Sequence, residues 1–106
     1  MNKYTADLDL TFTALDDEFT YIRGLEAKIK WYVENKFHVT VLDITNEDDE
    51  DEWYIYRRKL HVTSPYILKE SDGEDEDFAD VMNVDSVFYD LYNVKEVKIP
   101  FHLEEK

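Results

Sequence analysis

More than half of the titratable side chains in this sequence are carboxylates. The chain has 26 aspartates and glutamates against 12 lysines and arginines, and its formal net charge is −14. One acidic segment is an unbroken run made of Glu47, Asp48, Asp49, Glu50, Asp51 and Glu52. A second, more dispersed segment contains Glu70, Asp72, Glu74, Asp75, Glu76 and Asp77. Such segments can form an anionic surface, supply oxygen ligands to hard cations, or act as acids and bases.

The acidic segments lack the spacing of a dedicated metal site. A calcium-binding loop follows the pattern D-x-[DN]-x-[DN]-G. Before Gly73, the corresponding ligand positions are Leu68, Glu70 and Asp72, and a leucine side chain cannot act as a ligand. The chain contains no cysteine, which excludes thiolate metal sites. We therefore expect no metal and no other cofactor.

The histidines give the strongest argument for catalysis. His38 and His61 flank the first acidic run, and a hairpin centred on that run would bring them together across adjacent strands. Two imidazoles in contact could transfer protons or bind a metal. However, the chain contains no Walker loop and no G-x-G-x-x-G, G-x-S-x-G or H-E-x-x-H motif. We therefore expect a protein that is not an enzyme and has no catalytic residues.

The charge also limits the classes of partner. A net charge of −14 disfavours direct contact with nucleic acid or with an anionic membrane surface. No run approaches the roughly 18 apolar residues of a membrane span, and the first residues lack the apolar stretch of a signal peptide. We expect a cytoplasmic protein, located in the host cell cytoplasm if its source is viral.

A chain of 106 residues predicts one domain, covering residues 1-106, with acidic loops at 46-52 and 70-77. Strict alternation over 3–14 predicts a strand, and apolar residues at helical spacing predict a helix over 17–35 that includes Gly24. Strands are expected at 37–45 and 53–63. The change of phase in the first of these two strands suggests either a bulge or a strand that is buried on both faces.

In the second half of the chain, the hydrophobic pattern on which the predictions depend is less regular. A short edge strand is expected at 66–69 and a helix from Phe78 to Leu91, with a break near 83–86. The chain is then expected to close with a strand over 97–103, which Pro100 favours as an edge strand.

The predicted fold class is α+β with the element order βαββ(β)αβ. This order matches the split βαβ, or ferredoxin-like, arrangement, in which two helices cover one face of an antiparallel sheet. The first and third strands are then central neighbours, so that Asp7 and Asp9 face Arg57 and Lys59. The alternative is a bent β-meander with helices packed at one end.

Aromatic residues beside the first acidic run indicate a protein-binding surface. Trp53 and Tyr54 follow the run directly, and aromatic anchors ringed by polar groups are typical of binding hot spots. Duplex DNA carries one negative charge per about 1.7 Å of axis, so twelve carboxylates correspond to roughly 20 Å of duplex. The predicted contact residues are the acids of both segments together with Trp53 and Tyr54.

In composition and size, the chain resembles the small acidic DNA-mimic inhibitors that phages use against host nucleases, restriction enzymes, CRISPR effectors, repair glycosylases or polymerases. The resemblance implies a non-catalytic anti-defence protein that occupies the groove of a basic nucleic-acid-binding protein. Such a protein would act as an anti-CRISPR, an anti-restriction protein, or an inhibitor of repair or transcription.

A second hypothesis assigns the acidic loops to solubility alone. The protein would then be a regulatory or assembly module that binds through a sheet edge or through the face of the helix predicted at 17–35. The sequence leaves the oligomeric state open, and a homodimer formed through an edge strand is one possibility.

Overall fold

The computed structural model describes residues 4–14 and 24–97, which form one five-stranded antiparallel sheet with two helices. The elements are β1 (Tyr4–Thr13), α1 (Leu25–Phe37), β2 (Thr40–Asn46), β3 (Ile55–Ser64), β4 (Ser71–Glu74), α2 (Glu76–Met82) and β5 (Ser86–Glu96). The predicted α+β class and the βαββ(β)αβ order are therefore confirmed.

The strands are arranged in the order β2-β3-β1-β5-β4. β1 lies at the centre and pairs along its whole length with both β3 and β5. The first four strands in this order have the predicted split βαβ arrangement, and β4 extends the sheet at the outer edge of β5. Among the described strands, β2 and β4 are the two edges.

The alternation in β1 divides the sheet into two faces. One side of β1 is buried and consists of Ala6, Leu8, Leu10 and Phe12. The helices cover this face with six buried side chains, which are Leu25, Ile29 and Val33 from α1 and Phe78, Ala79 and Met82 from α2. The other face of the sheet, called the open face below, carries the polar residues of β1, among them Asp7 and Asp9.

Phe78 is the largest of the three α2 side chains that pack into the core. Its ring meets that of Phe12 edge to face, with centroids 6.0 Å apart, and stacks on that of Tyr32 at 4.2 Å. A single side chain from a seven-residue helix therefore joins β1, α1 and α2.

The boundaries of α1 correct the predicted helix. Gly24, expected inside the helix, is its N-cap and has a φ of 73°. This left-handed conformation cannot continue an α-helix, and glycine adopts it at little cost. The helix ends at Phe37. The part of the predicted helix that precedes Gly24, residues 17–23, lies outside the described residues.

The largest correction concerns residues 83–96, where the predicted helix is wrong beyond its first turns. α2 ends at Met82, and its C-cap residue, Asn83, has a φ of 57° and donates its backbone N–H to the carbonyl oxygen of Asp80. β5 then begins at Ser86. Phe88 and Leu91 fit helical spacing and would share one face of a helix. In the structure Phe88 is exposed whereas Val87 and Leu91 are buried, because residues an odd number of positions apart in a strand lie on opposite faces.

Three further predictions about the strands have different outcomes. The edge strand expected at 66–69 is wrong, because the edge is formed by β4, which pairs with residues 88–91 of β5. The closing strand expected at 97–103 lies outside the described residues apart from Val97. The bulge expected in β2 is confirmed, because the pairing with β3 shifts between Val41 and Asp43 and leaves Leu42 exposed.

Replacing Gly73 with alanine should lower the free energy of unfolding by about 1–3 kcal/mol, as is typical of overpacking. A Cβ atom at Gly73 would lie 2.8 Å from the hydroxyl oxygen of Tyr89, whose ring packs against Phe37. Urea unfolding measures the loss, and the NMR signals of both rings should shift. Ser71→Ala, an exposed change in the same strand, is the control. Equal stability of the two variants would contradict this account.

Candidate functional site

The first acidic run forms the loop of the hairpin between β2 and β3, and its outer members fasten that loop to β3. Asp48 accepts hydrogen bonds from the backbone N–H of Arg57 at 2.6 Å and from the guanidinium of Arg58 at 2.7 Å. Glu52 binds the guanidinium of Arg57 with its nearest contact at 2.8 Å. This carboxylate raises the pKa of Arg57 against an opposing effect of burial. These two carboxylates are therefore already neutralised within the chain.

The middle of the run forms the tip of the loop and is not neutralised in this way. Asp49, Glu50 and Asp51 are exposed, and in the described part of the chain no lysine or arginine forms an ion pair with them. The tip is nevertheless ordered locally, because Asp49 accepts a hydrogen bond from the backbone N–H of Asp51 at 2.9 Å. The tip presents three negative charges in a fixed loop.

The two predicted aromatic anchors stand beside these charges. Trp53 is 74% exposed and Tyr54 is 42% exposed. The carbonyl oxygen of Tyr54 accepts a hydrogen bond from Ala14 at 3.0 Å, which ties this end of the loop to the end of β1. Both aromatic residues and four acids of the run line a shallow cavity of about 230 Å³, and these acids are Asp48, Asp49, Glu50 and Glu52. The loop therefore combines exposed aromatic surface with negative charge.

The second acidic segment runs along β4 and into α2. Five of its six predicted contact residues are exposed, and these are Glu70, Asp72, Glu74, Glu76 and Asp77. Asp75 differs, because it is only 6% exposed and is the N-cap of α2, where it accepts the backbone N–H of Phe78 at 3.0 Å. Its carboxylate is used inside the fold and does not belong to the exposed surface.

Asp75 also links the two helices. It accepts hydrogen bonds from the ammonium group of Lys36 at 2.5 Å and from the hydroxyl of Tyr32 at 2.9 Å. Burial raises the pKa of Asp75, but the bonds from Lys36, the Phe78 amide and Tyr32 outweigh it, and the pKa is lowered overall. For Tyr32, burial and the adjacent carboxylate raise the pKa to about 12. This cluster therefore fixes the position from which the second segment is displayed.

Both acidic segments reach the same end of the sheet. The hairpin loop leads into the start of β3, where Ile55 faces Thr13 of β1. On the other side of β1, Thr13 faces Ser86, the first residue of β5. Glu74 pairs with Phe88, two residues into β5. Four strand spacings of about 4.8 Å separate the two edges of the sheet, a distance of about 19 Å. The two segments therefore flank one end of the sheet from opposite edges.

The open face brings the carboxylates of β1 next to basic residues of β3. Asp9 faces Lys59, as predicted, but Asp7 faces His61, and Arg57 faces Thr11 instead of an acid. Asp7 contacts the Nδ1 atom of His61 at 2.9 Å. Burial raises the pKa of Asp7, but His61 and the adjacent asparagine, Asn93, lower it by more.

The histidine pair suggested by the sequence does not form. The register of β2 against β3 sets Asp43 opposite His61, whereas His38 ends α1 before β2 begins. Among the described residues, no group of three or more histidines, aspartates or glutamates has the geometry of a metal site. Within that same part of the chain, no helix is long and apolar enough to cross a membrane.

A scan against protein-family models, a search of curated proteins and a search of solved structures each found no match to this chain. The function therefore has to be argued from the geometry and charge described above.

Sequence reasoning missed one set of candidate residues on the open face. Phe88 is 41% exposed there, and Asp90 lies next to Asp9 in the adjacent strand. The sequence pattern assigned both residues to a helix, so their pairing with Thr11 and Asp9 of β1 was not predicted. The sequence from Val87 to Tyr92 does not alternate between polar and apolar residues, so it carries no clear signal of a strand. Only the pairing of β5 with β1 shows that Phe88 and Asp90 share one face.

Proposed function

We propose that this protein is a non-catalytic acidic binding protein that occupies the basic nucleic-acid-binding groove of a host protein. The observation that carries the proposal is the location of its unneutralised carboxylates. They are gathered at the tip of the hairpin loop and along β4 and α2, on opposite edges at one end of the sheet. Like charges held together in this way repel one another, and a basic groove would relieve that repulsion.

The dimensions of the acidic surface support the proposal that the partner's groove normally binds a nucleic-acid duplex. The two edges of the sheet are about 19 Å apart. Eight of the twelve predicted contact acids form no ion pair within the described residues. Eight phosphate charges occupy roughly 14 Å of duplex DNA, and nucleic-acid-binding proteins gain much of their affinity by neutralising such charges. A folded body of this size could therefore compete for the lysines and arginines of such a groove.

The aromatic residues of the loop would add short-range affinity. Trp53 and Tyr54 stand beside the exposed tip and offer apolar surface that a partner could bury. Charge would supply the attraction at long range, and aromatic burial would hold the complex once formed. On this proposal the protein belongs functionally with DNA-mimic inhibitors, whose targets include CRISPR effectors, restriction enzymes, and repair or transcription proteins.

The proposal is tested by capture from a bacterial lysate with this protein as bait, eluted with a salt gradient and identified by mass spectrometry. We expect a nucleic-acid-binding protein that is released by salt, because exposed charge pairs are screened, and also by added duplex DNA. Neutralising the loop tip by Asp49→Asn, Glu50→Gln and Asp51→Asn together should weaken binding to the purified target about tenfold.

The matched control removes three exposed acids elsewhere through Glu26→Gln, Asp43→Asn and Glu96→Gln. Both triple variants have the same net charge, so only the location of the lost charge differs. The control should retain the target almost fully, and in a gel-shift assay the wild-type protein should displace DNA from it. A target that DNA does not displace, or equal binding by the two triple variants, would refute the proposal.

One observation favours the alternative module that binds through a helix. Trp31 on α1 is 60% exposed and, with Lys36 and Asp77, lines a cavity of about 350 Å³. Under this alternative, Trp31→Ala would abolish capture while neutralisation of the loop tip would leave it intact. The same lysate experiment therefore separates the two functions.

A further inference from the structure

The open face of the sheet is divided electrostatically along β1. On the β3 side, each basic side chain already has an acidic partner. The pairs are Arg57 with Glu52 at 2.8 Å, Lys59 with Glu47 at 3.9 Å, and His61 with Asp7 at 2.9 Å. The basic side chains of β3 on the open face therefore all have acidic partners, and the one acid of β2 on this face, Asp43, is exposed and forms no ion pair within the described residues.

The half formed by β5 and β4 is acidic and contains an exposed ring. Asp90 faces Asp9 on one side and Asp72 on the other, while Phe88 faces Glu74. Within residues 4–14 and 24–97, Asp72, Glu74 and Asp90 form no ion pair. This half of the face combines unsatisfied negative charge with accessible aromatic surface.

A cavity of about 290 Å³ lies where the two halves meet. Its lining includes Asp9, Glu47, Asp90 and Phe88, together with Arg57 and Arg58. Arg58 is already bound to Asp48 at 2.7 Å. Pockets for drug-sized ligands begin at about 300 Å³, so this one suits a single large side chain. Because Arg57 is already bound to Glu52, it adds little net positive charge to the cavity.

The pKa of Asp9 reflects the burial of this carboxylate and the two acidic groups beside it. Burial, with the nearby Glu47 and Asp90, raises the pKa of Asp9, although the hydroxyl of Tyr92 and the charge of Lys59 act in the opposite direction. The carboxylate is therefore held in surroundings that favour its neutral form. A further cation in the cavity would stabilise the ionised form.

We propose that this cavity receives an arginine side chain of the partner protein, between the ring of Phe88 and the carboxylates of Asp9 and Asp90. The proposal rests on the function proposed above, because the arginines of a nucleic-acid-binding groove are the source of that side chain. The proposed arginine contact lies on the open face of the sheet and is separate from the contact proposed at the tip of the hairpin loop. The charge of the cavity and that of an arginine are complementary.

Arginine fits this cavity better than lysine does, for reasons of shape. The guanidinium group is planar, stacks on aromatic rings and binds carboxylates through two parallel hydrogen bonds. An ammonium group is a compact, strongly hydrated charge that makes neither contact equally well. The combination of one exposed ring with carboxylates therefore selects for the planar cation.

The probes are fluorescently labelled hexa-arginine and hexa-lysine peptides of equal charge, titrated with the full chain at low salt and followed by anisotropy. Wild type should bind hexa-arginine about tenfold more tightly than hexa-lysine, within the range of cation–π and bidentate contacts. Phe88→Leu keeps the apolar bulk and removes the ring, so it should reduce this preference to about twofold or less. Asp90→Asn should weaken hexa-arginine binding severalfold.

Asp43→Asn is the matched control for Asp90→Asn, because Asp43 is an exposed carboxylate of the same face, opposite His61. It should change hexa-arginine affinity by less than about twofold, because its charge lies outside the cavity. Thermal melts verify that each variant is folded. Equal affinity of wild type for the two peptides, or an equal effect of Asp43→Asn and Asp90→Asn, would overturn the assignment.

The failure of this inference and the failure of the proposed function give different results. If the captured partner binds wild type and Phe88→Leu equally and is still displaced by DNA, the cavity proposal fails and the function stands. If no DNA-competed partner is captured but the peptides show the expected selectivity, the cavity binds arginine and the proposed function fails.

Discussion

Replacing Phe78 with alanine is expected to lower the free energy of unfolding by about 3–5 kcal/mol, the usual cost of truncating a buried phenylalanine. The ring is almost completely buried and contacts both Phe12 and Tyr32. α2 has only seven residues, too few to be stable without tertiary contacts. A domain of this kind has a total stability of about 5–15 kcal/mol, so the loss is a large part of the whole.

Chemical denaturation at neutral pH measures this loss, and Phe88→Ala is the matched control. Phe88 is the same residue type in an exposed position on the opposite face of the sheet, so its truncation should cost less than about 1 kcal/mol. If the two alanine variants were equally stable, Phe78 would not hold α2 against the core.

The second large effect concerns acid stability through Asp75. Its pKa in the folded protein is lowered from the ordinary value of 3.8, so the ionised carboxylate stabilises the fold. That contribution is complete above the unfolded-state pKa of about 3.9 and is lost as the pH falls through the lower folded-state pKa. We expect Asp75→Asn to lower stability by about 1–3 kcal/mol at pH 7, because hydrogen bonds to a charged group are lost.

The difference between wild type and Asp75→Asn should shrink below about pH 4, where Asp75 of the unfolded chain becomes protonated, and should vanish once the pH falls below the lower folded-state pKa. Urea unfolding at a series of pH values follows it. Asp9→Asn is the control of opposite sign, because the folded-state pKa of Asp9 is raised and its ionisation at pH 7 opposes folding. That variant should be at least as stable as wild type at pH 7. A pH-independent difference for Asp75→Asn would show that its charge is irrelevant.

The parts of the fold that could be predicted are those with a single dominant period. β1 was predictable because polar and apolar residues alternate without interruption from Tyr4 to Thr13. β5 was not, because nearly every residue from Val87 to Tyr92 is apolar or aromatic, and such a run fits helix and strand equally well. The end of α2 depends on the left-handed conformation of Asn83, which a pattern of hydrophobicity does not report.

The candidate site also has features that could be predicted from the sequence and features that could not. Exposure of the loop tip follows from charge density alone, and the structure has Asp49, Glu50 and Asp51 exposed as expected. The burial of Asp75 does not follow, because it requires α1 to bring Lys36 onto the end of α2. The cavity at Asp9 likewise depends on strand register, which brings residues 9 and 90 together from distant parts of the chain.

The ion pairs between the hairpin loop and β3 bear on how fast a complex could form. Because Arg57 and Arg58 hold Glu52 and Asp48 in place, little conformational entropy remains to be lost when a partner arrives. Encounter would then be governed by the long-range field of the protein, which salt weakens. Salt should therefore act mainly on the association rate constant, whereas the lifetime of the complex is set by short-range contacts at Trp53 and its neighbours.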